Sequence, residues 1–306
     1  MKYDLIIIGG GPAGLTAGLY GARGGLKTLL LEKAMPGGQA ALTDVIENFP
    51  GFPEGISGPE LMFKFQAQAQ KFGLEIKTAE VTGVDFSGAK KVFAGGEQYE
   101  AKAVIVATGA RARVLNVPGE EEFRGRGVSY CATCDGAFFR DKKVAVVGGG
   151  DSAIEEALFL TKFVSEVVVI HRRDQLRATK ILQQRAFNNE KISFRWNSVV
   201  EEILGEQAVS GIRLKNIQDG TIQEEKVDGV FVFIGTVPNT DFLRGTVKLN
   251  EKGYIITDDF LTTSVPGVFA AGDVREKFLR QVSTAVGDGA VAAMAAERYI
   301  AGMDFK

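Results

Sequence analysis

Two stretches of the chain share one order of apolar and polar positions. Asp4 to Lys33, DLIIIGGGPAGLTAGLYGARGGLKTLLLEK, lies on Lys143 to Arg172, KVAVVGGGDSAIEEALFLTKFVSEVVVIHR, position for position. Each reads as an apolar run of strand length, a Gly-rich turn, a helix and a second apolar strand. Strands joined through a helix run parallel, so each stretch predicts a βαβ unit in a doubly wound sheet. At 306 residues, 45% of them hydrophobic, one core usually gives way to two domains. The fold class expected is α/β, with two Rossmann-like, three-layer dinucleotide-binding domains.

The turns carry the chemistry. Gly9, Gly11 and Gly14 form G-x-G-x-x-G in the first unit, and Gly148, Gly150 and Ala153 form G-x-G-x-x-A in the second. One glycine permits the tight turn and one lets backbone approach a pyrophosphate. The third small residue lets helix and strand meet, with the anion at the helix N-terminus. The end of the second strand then separates two nucleotides. Glu32 closes it in the first unit, where an acid accepts hydrogen bonds from a ribose and repels a 2'-phosphate. The matching residue in the second unit is His171, followed by Arg172, Arg173 and, one turn later, Arg177. Planar guanidinium groups suit a phosphate dianion. The first half is therefore expected to hold an adenine dinucleotide without a 2'-phosphate, and the second to hold NADPH.

A net charge of -2 argues against a surface built to grip nucleic acid or an anionic membrane. The longest apolar runs, such as LIIIGGG and VFVFIG, are too short to span a bilayer. The start, MKYDLIIIGGGPAG, enters a strand at once, without a signal peptide's basic and apolar regions. Cytoplasmic location is the expectation.

CATCDG, GGGDSA, HRRDQLRA, ATGA, AGD and RQVSTAVGDGAVAA occur in that set along the chain, and together they resemble the low-molecular-weight, bacterial-type thioredoxin reductases. The resemblance covers essentially the whole length. It implies an FAD domain in two segments, residues 1–112 and 243–306, with an NADPH domain, residues 113–242, inserted between them. VIVATGARARVLNVPG resembles the exit linker and FIGTVPNTDFL the return. FAD contacts then fall on Gly9, Gly11, Gly14, Glu32, Gln39, Asn48, Gly272, Asp273, Arg280, Gln281 and Val282. NADPH contacts fall on Gly148, Gly150, Asp151, Ser152, Ala153, His171, Arg172, Arg173 and Arg177. Asp273 also has a physical warrant, since a carboxylate accepts a hydrogen bond from a ribityl hydroxyl. A homodimer is implied by the resemblance alone.

The only two cysteines, Cys131 and Cys134, stand in GVSYCATCDGAFF. A C-x-x-C pair can bind metal, lock a turn, or cycle between dithiol and disulfide. Structural zinc needs about four Cys or His ligands, and the chain has one histidine. A static disulfide closing so short a loop removes little chain entropy. With the nucleotide motifs counted, a redox couple is the expected use, with no metal. The resemblance implies electrons passing from NADPH through FAD to the Cys131–Cys134 disulfide, and on to the disulfide of thioredoxin. It further implies that Cys134 lies nearest the flavin and Cys131 attacks the partner. Asp135 is the candidate acid/base, expected to be buried beside the apolar AFF; a helix cap is its other reading. Dithiol and nicotinamide must reach one flavin in turn, and the family resolves this by rotating the NADPH domain about its two linkers.

Three other functions compete. One is a flavin reductase serving a peroxiredoxin-type partner. Another is a reductase drawing electrons from ferredoxin, against which the intact GGGDSA and HRR argue. The third is a non-catalytic, nucleotide-binding redox sensor, which sustained NADPH turnover separates from an enzyme. A ferredoxin–NADP reductase lacks the cysteine pair.

Overall fold

The computed structural model describes residues 2–43 and 45–304. The chain divides into two compact units, Met1–Arg111 with Val237–Lys306, and Ala112–Thr236. The return therefore falls at Thr236/Val237, six residues before the expected 242/243. The physical reason is a pairing between segments distant in sequence. Strand Thr236–Pro238 pairs with strand Ala110–Ala112, and the Asn239 side chain donates to the Thr108 carbonyl at 2.9 Å. Leu243, fully buried, already packs in the same cluster as Ile6 and Ile8 of the first unit.

In the first unit, strand Lys2–Ile8 runs parallel to Thr28–Glu32 on one side and to Glu97–Val106 on the other. Pro12 starts the helix between the first two strands, Pro12–Arg23, where its missing N–H costs no bond. Strand Glu75–Thr78 extends the sheet at one edge; Lys90–Ala94 and Val81–Asp85 extend it antiparallel at the other. Val268–Ala270 pairs with the C-terminal half of Glu97–Val106.

Leu5 and Ile7 face a core shared with helices Pro12–Arg23, Gly58–Lys71 and Val282–Ile300. Ile6 and Ile8 face the opposite side, covered by Leu243, Val247, Ile255 and Val274. Both faces of the sheet are thus apolar, which is why the strand reads as a continuous run.

Gly289 of the last helix lies so close to helix Pro12–Arg23 that an added Cβ would sit 2.3 Å from the Ala13 carbonyl oxygen. Alanine's helix propensity favours Gly289→Ala by about 1 kcal/mol. Overpacking against backbone costs about 1–3 kcal/mol and wins, because a carbonyl held in a helix cannot swing aside. The variant is expected to unfold at lower urea concentration than the parent.

In the second unit, five parallel strands lie in the order Ile192–Arg195, Glu166–Ile170, Lys143–Gly148, Gly229–Phe233, Val128–Ser129. Val144, Val146, Val167 and Val169 pack with residues of helices Asp151–Leu160 and Lys180–Phe187. The other face, with Ala145, Val147, Val168 and Ile170, is covered by an antiparallel meander, Ser198–Gly205, Val209–Asn216 and Ile222–Glu225. In both units the α-helices pack on one face of the sheet only; the other face, which a doubly wound sheet would cover with helices, is covered by residues 243–274 in the first unit and by the meander in the second. Among the described residues, no helix is long and apolar enough to cross a membrane.

Candidate nucleotide sites and redox centre

In the first unit, Gly9 has φ +104°, and a Cβ there would lie 2.4 Å from the Ala107 carbonyl oxygen. A Cβ on Gly14 would lie 1.8 Å from the Gly9 carbonyl oxygen, so only hydrogen fits between turn and helix. Gly11 is different. It caps helix Pro12–Arg23 with no side-chain bond, and a Cβ there would meet nothing within 4 Å. Open space before an uncapped helix start suits the pyrophosphate of a dinucleotide. The Glu32 carboxylate accepts the Gly10 N–H at 2.7 Å, tying the acidic strand end to the turn.

Of the remaining predicted FAD contacts, Gln39 lies in the 3-10 turn Gly38–Leu42, Gly272 and Asp273 in the 3-10 turn Gly272–Val274, and Val282 opens the helix Val282–Ile300. Gln39 donates to the Ala110 carbonyl. Asn48 donates to the Gln281 side chain at 3.1 Å, and Gln281 and Thr284 form a capping box that starts helix Val282–Ile300. The Arg280 guanidinium lies over the Tyr254 ring, 4.3 Å from its centroid, with its Nε buried and unpartnered among the described residues.

Asp273 Oδ1 is also buried without a partner. Burial pushes this carboxyl above the usual range, and the charges of Lys277 and Arg280 only partly offset it. A buried acceptor lacking a donor is a cost unless something supplies one. A sugar-alcohol hydroxyl fits that need, so the residues present suit FAD.

Asp288, absent from the predicted set, anchors this region. It accepts the Gly272 N–H at 2.9 Å and pairs with Arg275 and Lys277, each at 2.8 Å. Burial would raise its carboxyl, but the bonds from Arg275 and Lys277 outweigh that and hold it below the usual range.

The second unit repeats the turn with one change. A Cβ on Gly148 would lie 2.4 Å from the Phe233 carbonyl oxygen and 2.7 Å from Ala153 Cβ. Gly150 caps helix Asp151–Leu160 without a side-chain bond and faces open space. Ser152, exposed, lies in the first turn of that helix. The basic loop is stitched to this turn: the N–H groups of Arg177 and Ala178 donate to the Gly149 carbonyl at 2.7 and 3.2 Å. Asp151 accepts the Thr179 N–H at 2.6 Å. Arg172, Arg173 and Arg177 are exposed and carry no ion pair among the described residues.

His171 does not join them as a fourth cation. It is 4% exposed, and a Cβ on Gly149 would lie 2.4 Å from its ring. The ring also stands edge-on to Trp196, with centroids 6.4 Å apart. Burial and then the charge of Arg177 lower its pKa, with smaller contributions from Arg173 and Arg172 and an opposing backbone bond at Gln175. The ring is neutral at physiological pH.

The unfolded chain binds a proton at His171 near pH 6.5, before the folded chain does, so folding loses stability as pH falls through and below that value. The urea midpoint should fall more between pH 7.5 and 5.5 in the parent than in His171→Gln.

The cysteines follow the edge strand Val128–Ser129. Cys131 caps the helical turn Ala132–Asp135, and Cys131 and Cys134 are joined as a disulfide with Cα atoms 5.4 Å apart. The Cys134 N–H points to Cys131 Sγ at 3.2 Å, and Thr133 Oγ1 lies 3.4 Å from the same sulfur. Cys134 is exposed and Cys131 half-buried.

Asp135 makes no cap bond. It is half-buried, and its Oδ2 accepts a 2.6 Å bond from Ser129. The expected apolar surroundings are divided: Phe139 packs on Phe231, while Phe138 is 77% exposed. Ser129, also absent from the predicted set, has a faint sequence signal as a polar residue in a buried strand two positions before Cys131.

The family model of pyridine nucleotide-disulphide oxidoreductases matches residues 3–289. Thioredoxin reductase of Bacillus subtilis is 51% identical over 300 residues, covering 97% of this chain and 95% of that protein. The thioredoxin reductase of Peptoclostridium acidaminophilum is 50% identical over 305 residues, 97% of each chain. The crystal structure of Lactococcus lactis thioredoxin reductase in its FR conformation matches with a TM-score of 0.97 at 49% identity, covering 99% of this chain and 100% of that one. Since the likeness runs through both units and the paired cysteines, this chain belongs to the pyridine nucleotide-disulphide oxidoreductase family, whose cofactors FAD and NADPH are its own.

Proposed function

We propose that the chain reduces the disulfide of thioredoxin at the expense of NADPH, with Cys131–Cys134 as its redox centre. The observation that carries this reading is the joined Cys131–Cys134 pair, one cysteine exposed, in the unit whose nucleotide turn carries three unpaired arginines. Bound FAD supplies a carrier that takes a hydride's two electrons from NADPH and yields them to a disulfide. Gly9, Gly11 and Gly14 would leave room for its pyrophosphate, Glu32 would accept from a ribose, and Asp273 would accept from a ribityl hydroxyl. Gln39, Asn48, Arg280, Gln281 and Val282 shape the rest of that site. Gly148, Gly150 and Ala153 do the same for NADPH, with Asp151 and Ser152 at the helix start. Arg172, Arg173 and Arg177 take its 2'-phosphate, while His171 holds the turn.

Two electrons and two protons open the Cys131–Cys134 disulfide to two thiols. One cysteine, as thiolate, attacks a sulfur of oxidised thioredoxin; the other thioredoxin sulfur leaves and takes a proton. The second cysteine, as thiolate, then attacks the sulfur of the first and displaces the thioredoxin sulfur, which takes a proton; this restores the Cys131–Cys134 disulfide and frees reduced thioredoxin. The Cys134 N–H aimed at Cys131 Sγ stabilises negative charge there once the disulfide opens. That favours Cys131 as the attacking sulfur, although Cys134 is the more exposed of the two here. Asp135 holds and returns the proton. The reading includes a homodimer and the reducing cytoplasm, where disulfides cycle rather than staple a fold.

Anaerobic titration of the holoenzyme with NADPH, and separately NADH, tests it through the flavin absorbance band. Bleaching by NADPH followed by reoxidation on adding oxidised thioredoxin supports the reading. Bleaching without reoxidation moves the partner to another disulfide. No bleaching by either nucleotide overturns the NADPH site and brings forward a ferredoxin-type donor.

A further inference from the structure

Ser129 is 4% exposed, and its strand is held by backbone pairing of Val128 and Ser129 with Val230 and Phe231. Its hydroxyl has one proton and two acceptor positions. Three partners surround it. Asp135 Oδ2 lies at 2.6 Å, the Cys131 N–H donates to it at 3.0 Å, and the Cys131 carbonyl oxygen lies at 3.2 Å.

When Asp135 is ionised, the Ser129 proton goes to the carboxylate, where a charge-assisted bond of this length is favoured over the carbonyl. When Asp135 is protonated, its O–H can donate to Ser129 Oγ, and the serine proton turns to the Cys131 carbonyl. The Cys131 N–H keeps its acceptor in both states. A rotation of one hydroxyl therefore satisfies Asp135 with and without its proton, with no heavy atom displaced.

We propose that Ser129 is a positioning residue that keeps Asp135 in place through both of its protonation states during exchange at Cys131–Cys134. The inference rests on the reading of Asp135 as proton carrier. In the exchange, the enzyme thiolate forms a sulfur–sulfur bond, the substrate disulfide breaks, and the leaving thiolate takes the proton of Asp135, which becomes a carboxylate. No proton leaves the serine oxygen.

The test compares two small disulfides on the holoenzyme, reduced with dithiothreitol and desalted anaerobically. Hydroxyethyl disulfide releases a basic thiolate that needs a proton; 5,5'-dithiobis(2-nitrobenzoate) releases an acidic one that does not. Ser129→Ala should slow the first reaction about tenfold and the second less than about twofold. Ser129→Thr, which keeps the hydroxyl, should restore the first. In an Asp135→Asn background, Ser129→Ala should add nothing further, since the two act as one unit.

Equal slowing of both probes by Ser129→Ala overturns the proposal, because loss of the Cys131 N–H anchor alone would do that. So does a double variant whose losses multiply. An Asp135→Asn enzyme as fast as the parent with both probes overturns the underlying role of Asp135. Neither probe is thioredoxin, so a parent that exchanges with both probes but fails to reduce thioredoxin sinks the proposed function and leaves this inference standing.

Discussion

Cys134→Ser is expected to lower NADPH-dependent reduction of thioredoxin by on the order of a thousandfold or more. The reason is stoichiometric. A lone Cys131 cannot form the intrachain disulfide that accepts two electrons, and no neighbouring thiol can attack it to expel thioredoxin from a mixed disulfide. Nucleotide-dependent bleaching of the flavin should survive, because the glycine turns and the basic loop are untouched. The same variant decides the order of attack. A stable mixed disulfide between thioredoxin and Cys134→Ser, seen by non-reducing electrophoresis, assigns attack to Cys131. Trapping by Cys131→Ser instead would assign it to Cys134, in line with the greater exposure of Cys134.

Second in size is the loss expected on replacing Arg172, Arg173 and Arg177 together by alanine. A hydrogen bond to a charged group contributes about 1.5–3 kcal/mol, and exposed groups fall below that because water and salt screen them. Screened to about 1 kcal/mol each, the three contacts together contribute about 3 kcal/mol, which corresponds to roughly a hundredfold rise in the KM for NADPH. The KM for NADH, which has no 2'-phosphate, should move less than about twofold, and kcat should hold with both nucleotides. Raising the ionic strength should weaken NADPH use by the parent more than by the triple variant. His171→Gln should leave this discrimination nearly intact, since the buried ring carries no charge at neutral pH. A triple variant that loses NADH and NADPH alike would mean that the loop shapes the whole site rather than reading the phosphate.

The sequence by itself determined the layered architecture and the positions of both nucleotide turns. These rest on short-range physics. A parallel strand covered on both faces must be apolar throughout, as Ile6 and Ile7 illustrate by facing opposite cores. A turn that admits no Cβ must be glycine, as the 1.8 Å clearance at Gly14 requires. The nearness of Cys131 and Cys134 was equally legible, because only Ala132 and Thr133 separate them. The likeness of motifs added the identity of the flavin, which spacing alone does not carry.

What only the tertiary structure decided depends on packing between segments distant in sequence. His171 reads as one more cation in HRR, yet Gly149, lacking a side chain, leaves the space in which that ring is buried and kept neutral. Asp288 lies in a helix whose glycines and alanines give no hint that it holds Gly272, Arg275 and Lys277 together. Ser129 becomes a partner of Asp135 only when an edge strand and a helical turn set their oxygens 2.6 Å apart. The return of the chain to the first unit moved to Thr236/Val237 because the pairing with Ala110–Ala112 is nonlocal and leaves no periodic mark. Conformational demands on one residue are written in that residue; the electrostatic character of a site is set by neighbours that folding supplies.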